Sequence, residues 1–137
     1  MATHFHVYVY TNTLIVLLVL SCLGRYPTDS NTWCDIAYGD PGSYIDSRSP
    51  GVFVAVAKDG TNRVMRSIDD GITWSPHSVA GSYQWYAITY GNGSFVAVAR
   101  DSNRIMKSVT GGVTWSQYTS TESAAWSSIA YGNGIYV

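Results

Sequence analysis

The sequence predicts an all-β fold assembled from repeated four-stranded antiparallel units. Three observations lead there. The 137 residues are 46% apolar and 14% aromatic but only 12% charged, with 13 glycines, which suits a β-rich core laced with tight turns. The chain repeats itself at a spacing near 40 residues. Within each copy, short β-prone runs alternate with turn formers. Four antiparallel strands in that length, stacked face to face with the next copy, describe a propeller blade, and about two and a half blades are expected as a partial β-propeller.

The N-terminal segment, residues 1–24, stands outside the repeat. Leu14 to Leu23 reads LIVLLVLSCL, too short for a membrane helix, which needs roughly 20 apolar residues. It suits the apolar region of a secretory signal cleaved near Gly24, and so a secreted, cell-surface or periplasmic protein. The first thirteen residues carry no Lys or Arg, contrary to the usual positive start of such a signal. The alternative is an edge strand, because Phe5-His6-Val7-Tyr8-Val9-Tyr10 is β-prone. Residues 25–32 read as a linker. Cleavage would leave Cys34 without Cys22. Its position is taken by Tyr86 and Ser127 in the later copies, so it reads as a strand residue rather than a nucleophile.

The repeat begins at Trp33. Trp33-Cys34-Asp35-Ile36-Ala37-Tyr38-Gly39 returns as Trp85-Tyr86-Ala87-Ile88-Thr89-Tyr90-Gly91 and as Trp126-Ser127-Ser128-Ile129-Ala130-Tyr131-Gly132. Phe53 to Ala57 matches Phe95 to Ala99, and Arg63 to Ser67 matches Arg104 to Ser108. The blades are 33–74, 85–115 and a partial 126–137. In the second, strands are expected over Trp85 to Tyr90, Phe95 to Ala99, Arg104 to Ser108 and Val113 to Ser116. Phe-Val-Ala-Val-Ala is apolar on both faces, as in a strand covered on both sides. Gly91-Asn92-Gly93 supplies the positive φ of a tight hairpin, and Asp101-Ser102-Asn103 is expected to turn through side-chain bonds to its own backbone. The first copy carries a Pro/Gly/Ser-rich insertion, 40–50. His77 falls in a linker. A partial third blade implies self-association or further blades.

The turn Ser67-Ile68-Asp69-Asp70-Gly71-Ile72-Thr73-Trp74 resembles the Asp-box, or BNR repeat, with the pattern Ser-x-Asp-x-Gly-x-Thr-Trp. Ser108-Val109-Thr110-Gly111-Gly112-Val113-Thr114-Trp115 is similar, with Thr110 in place of the acid. The resemblance covers residues 33–137. It implies propellers of the sialidase-like or photosystem II assembly-factor-like kind. It also implies a structural role for Ser67, Asp69, Gly71, Trp74, Ser108, Gly112 and Trp115. An Asp accepts backbone N–H groups inside such a turn, Gly supplies the unusual φ, and Trp packs the following strand.

Eight Lys and Arg against nine Asp and Glu give a net charge of −1, without the basic excess that nucleic-acid binding needs. Cys and His do not cluster at ligand spacing, so no metal is expected, and no cofactor motif is present. Two turns share a cation, Asp, Asn and Arg: Lys58, Asp59, Asn62, Arg63 and Arg100, Asp101, Asn103, Arg104. They read either as turn chemistry with solvated charges or as a ring facing a polar or anionic ligand such as a sugar. The sialidase resemblance implies an arginine cluster, an acid, and a tyrosine assisted by a glutamate. The single Glu122 and the tyrosines stand in no motif that marks those roles, so no catalytic residue is assigned. The expected function is an exported module that binds or scaffolds a protein or carbohydrate. A sialidase-like glycoside hydrolase fragment and an assembly factor for a membrane complex are the alternatives.

Overall fold

The computed structural model describes residues 31–40, 51–79, 81–122 and 124–137, together with the backbone of 8–10 and 13–15. Most of the N-terminal segment, most of the linker and most of the insertion lie outside the described residues. Within that segment, β1 (Tyr8–Tyr10) pairs antiparallel with β2 (Thr13–Ile15). The described residues form strands and turns without a helix, so none is long and apolar enough to cross a membrane.

The first sheet is an antiparallel meander of β3 (Trp33–Gly39), β4 (Val52–Ala57), β5 (Val64–Ser67) and β6 (Ser75–His77). The second repeats it with β7 (Trp85–Gly91), β8 (Ser94–Ala99), β9 (Arg104–Ser108) and β10 (Ser116–Thr119). Registers match: Trp33 faces Ala57 and Trp85 faces Ala99, and each opening strand carries one extra residue, Cys34 or Tyr86, as a bulge. A third pair, β11 (Tyr131–Gly132) and β12 (Ile135–Tyr136), extends by reciprocal bonds between Ala130 and Val137 of 2.8 and 2.9 Å.

Every residue of β4 and of β8 is buried, which explains why these runs are apolar on both faces. Val52, Val54, Val56, Val64, Trp85 and Met106 are core residues. The β7–β8 hairpin closes through Asn92 (φ 43°) and Gly93 (φ 70°), the two left-handed residues of a two-residue turn.

Sheet stacks on sheet by a contact that recurs. A Cβ on Gly39 would overlap the ring of Tyr90, and one on Gly91 would overlap the ring of Tyr131. Each tyrosine lies against the aromatic residue of its own second strand: Tyr38 on Phe53, Tyr90 on Phe95 and Tyr131 on Tyr136, with centroids 4.7–4.8 Å apart. Three further contacts join the first two sheets. Gly112 packs on Val54, Arg66 Nε donates to Gly111 O at 3.1 Å, and Ile88 N donates to Asp35 Oδ2 at 2.9 Å.

Three expectations need correction. The fourth strand of the second sheet begins at Ser116 rather than Val113, because Thr114 and Trp115 are committed to the turn before it. His77 belongs to β6, where it pairs with Val64, rather than to a linker. Residues 126–130 are not a strand, and pairing in the third unit starts next to Val137.

Candidate functional site

Two sets of turns sit at opposite ends of the sheets. At one end, the β5–β6 turn is built around Ser67 and Asp69. Ser67 Oγ donates to Asp69 Oδ1 at 2.8 Å and accepts the Gly71 amide at 2.9 Å. Asp69 Oδ1 accepts Thr73 N at 2.8 Å, and Oδ2 accepts the Thr73 hydroxyl at 2.5 Å. Those bonds from Thr73, with that from Ser67, hold the Asp69 carboxyl below the usual carboxylate range. Trp74 Nε1 closes the turn on Gly71 O at 3.0 Å. Asp70 (φ 57°) and Gly71 (φ 82°) are both left-handed.

The β9–β10 turn reaches the same shape with a hydroxyl. Thr110 Oγ1 accepts Thr114 N at 2.9 Å and lies 2.8 Å from Thr114 Oγ1. Gly112 N donates to Ser108 Oγ at 2.9 Å, and Trp115 Nε1 to Gly112 O at 3.0 Å. The left-handed pair here is Gly111 and Gly112. The side chains of both turns bond inward to their own backbone and hydroxyls.

At the other end are the turns singled out for cations. Their acids hold distant backbone. Asp59 accepts Thr32 N, and its Oδ2 accepts Thr32 Oγ1 at 2.6 Å. Burial pushes this carboxyl upward. The Thr32 hydroxyl and amide, with the charges of Lys58 and Arg63, outweigh it and hold the pKa low. Asp101 Oδ1 accepts Gln84 N at 2.9 Å, while Gln84 O accepts Arg100 N at 2.9 Å. Each acid thus clips the segment entering its sheet to the β4–β5 or β8–β9 turn. Asn103 does the same for the exit, giving its amide to Ser120 O at 3.1 Å and accepting Ser120 N at 2.9 Å. Asn62 O accepts the Asn31 side-chain amide. The expected local side-chain turn at 101–103 is therefore replaced by bonds that span 17 residues. A short polar side chain serves a strand-entry amide because the antiparallel meander returns that amide beside it.

Arg63 reaches from the first sheet to the segment entering the second, and two arginines of the second sheet lie over tyrosines. Arg63 Nη1 donates to Tyr83 O at 2.6 Å and Lys58 O at 3.0 Å, and Nε to Gly60 O at 3.1 Å. The Arg104 guanidinium lies 5.2 Å over the Tyr83 ring and donates to Thr119 Oγ1 at 2.9 Å. The Arg100 guanidinium lies 4.7 Å over the Tyr86 ring. Tyr83 and Tyr86 were not among the sequence candidates. The only available signal was their place beside the repeated Trp85.

Asp35 was also missed. It replaces the Ala87 and Ser128 of the other copies. Its carboxylate accepts Ile36 N at 2.8 Å and, across the sheets, Ile88 N at 2.9 Å. Burial raises its pKa, and the two amides offset that only in part. Among the described residues, no three His, Cys, Asp or Glu side chains gather to hold a metal ion. The arrangement places two guanidinium groups on aromatic rings, a contact that leaves their in-plane N–H groups for acceptors.

No protein-family model, no curated protein and no solved structure matches this chain.

Proposed function

We propose that the chain is an exported propeller-type repeat module of the Asp-box kind that binds or scaffolds a protein or carbohydrate. One observation carries the binding reading: at the 58–63 and 100–104 end, the acids are tied to backbone amides while arginines are stacked on tyrosines. Groups fixed in this way are preorganised for a ligand. The propeller reading is supported by the recurring step that seats Tyr90 on Gly39 and Tyr131 on Gly91. The export reading is supported by the Leu14–Leu23 run.

A glycan microarray run beside a fluorogenic sialoside panel tests the binding reading on the purified chain. Binding without turnover supports it, and turnover of any sialoside replaces it with the hydrolase alternative. Mass spectrometry of material from the native host tests export: a mature start near residue 25 supports it, and an intact Met1 overturns it.

A further inference from the structure

Resting on the export reading, we infer that Asn92 is a modification site and carries an N-linked glycan. Asn92-Gly93-Ser94 has the pattern Asn-x-Ser/Thr, with x other than Pro, at which a secretory compartment attaches oligosaccharide. The chain has six asparagines, and the other five have no Ser or Thr two residues on. The third unit sharpens the contrast. Asn133-Gly134-Ile135 repeats the turn with the same left-handed pair, φ 50° and 84°, but has an isoleucine where the hydroxyl belongs.

The fold presents the acceptor and leaves room for the product. Asn92 and Gly93 are exposed at the tip of the β7–β8 hairpin, whose base is the Gly91–Ser94 pair. A Cβ on Gly93 would meet nothing within 4 Å, so the space beside the tip is open. The base is fixed from the third unit: the Tyr136 hydroxyl donates to Gly91 O at 2.6 Å and lies 3.4 Å from Ser94 O. A bulky hydrophilic group on a firmly based, exposed tip displaces no packed residue. This turn shares its end of the sheet with the Thr110 turn, opposite the 100–104 turn, so a glycan leaves the candidate binding end open. Ser94 sets the order of events. It is only 4% exposed, and its hydroxyl donates to Asn92 O at 3.4 Å. An enzyme that reads this hydroxyl reaches it before the hairpin closes, on the extended chain during export. In the transfer, Asn92 Nδ2 attacks the anomeric carbon of a lipid-diphosphate-linked oligosaccharide. The N–C bond forms, the bond from that carbon to the diphosphate oxygen breaks, the amide gives up one proton, and the lipid diphosphate leaves.

Two measurements test the inference. The first is mass spectrometry of tryptic peptides of the chain from its native host, before and after peptide N-glycosidase treatment in heavy-oxygen water, which marks a released acceptor as labelled Asp. The expected result is a mature start near residue 25, glycan and label at Asn92 in the peptide Ser67–Arg100, and no label at Asn133. A mature start with bare Asn92 overturns this inference and leaves export standing. An intact Met1 with bare Asn92 removes both. The second measurement places the full chain behind a signal peptide of a eukaryotic host cell, so that acceptor behaviour is read independently of the chain's own N-terminus. The secreted chain should migrate as a slower band that the glycosidase collapses. Asn92→Asp, a residue that also tolerates the left-handed turn, and Ser94→Ala should each run at the collapsed position. Secretion of the unaltered chain as a glycosidase-insensitive band overturns the assignment, and so does a sensitive band that survives in Asn92→Asp.

Discussion

Asp69 and Thr110 occupy equivalent places in successive turns and meet the same backbone amide with different chemistry. The carboxylate takes both the amide and the hydroxyl of Thr73, and the threonine takes the amide of Thr114 with a single oxygen. Asp69→Ala should lower the melting temperature, and Asp69→Thr should recover most of the loss; equal melting of Ala and Thr variants would count against the bonding described. Acidity adds a second test. The Asp69 pKa is held down in the fold, so its contribution is complete above the unfolded value, about 4, and is lost as pH falls through the lowered folded value. Asp69→Thr should therefore flatten the loss of stability below about pH 4. Asp35 has the opposite sign. Burial raises its folded pKa, so the fold loses stability as pH rises from about 4 through the folded value. Asp35→Asn removes that slope but leaves one of the Ile36 and Ile88 amides without an acceptor, so it should be less stable at low pH. Urea unfolding at a series of pH values reads both effects, and an unchanged slope for Asp35→Asn would refute the assignment.

Strands explain which of these residues matter. The central β4 and β8 are buried on both faces, so the sheets are held from above and below, and the opening strands β3 and β7 carry the step to the next sheet. Gly39 is small because the Tyr90 ring lies where a side chain would stand. Gly39→Ala should cost about 1–3 kcal/mol, the usual range for overpacking a filled site. In a Tyr90→Ala background the same change should cost much less. A double-mutant cycle by urea denaturation measures the coupling, and additive losses would show that this contact does not hold the sheets together. Gly112→Ala is expected to be destabilising for two reasons: its φ of 85° is left-handed, and a Cβ would stand 2.8 Å from a methyl of Val54.

For the molecule as a whole, the two ends of the sheets differ in chemistry. The cation end presents Arg100 with polar turn residues, and the opposite end presents aliphatic side chains from both serine-initiated turns. Ile68, Ile72, Val109 and Val113 are 50%, 80%, 62% and 43% exposed. Branched aliphatics at the same two places in two adjacent turns make a patch rather than scattered single residues. Such a patch, with the outer edges of β6 and β10 in the same sheets, favours self-association. Size-exclusion chromatography with light scattering should show species above the 15.0 kDa of one chain, reduced by Ile72→Asp with Val113→Asp. A monodisperse 15.0 kDa species from the unaltered chain would overturn this.

The sequence alone determined the β character, the repeat and the 92–93 hairpin, because these depend on neighbours along the chain. Alternation of β-branched runs with Asn-Gly and Gly-Gly pairs sets strand and hairpin locally, and Trp33, Trp85 and Trp126 mark the copies without any knowledge of packing. It also placed Lys58, Arg63, Arg100 and Arg104 at one end, since an antiparallel meander sends alternate turns to the same side. Only the tertiary structure decided what the polar residues in those turns hold. Asp59 and Asp101 face amides 27 and 17 residues away, Asn103 holds Ser120, and Asp35 bonds to a strand 53 residues on. Tyr83 and Tyr86 joined the site only through arginines brought over them by the sheet. Periodicity reports which way a residue points along its own strand, but a hydrogen bond or ring contact depends on what the folded neighbour places opposite. That information resides in the packing of one sheet against the next.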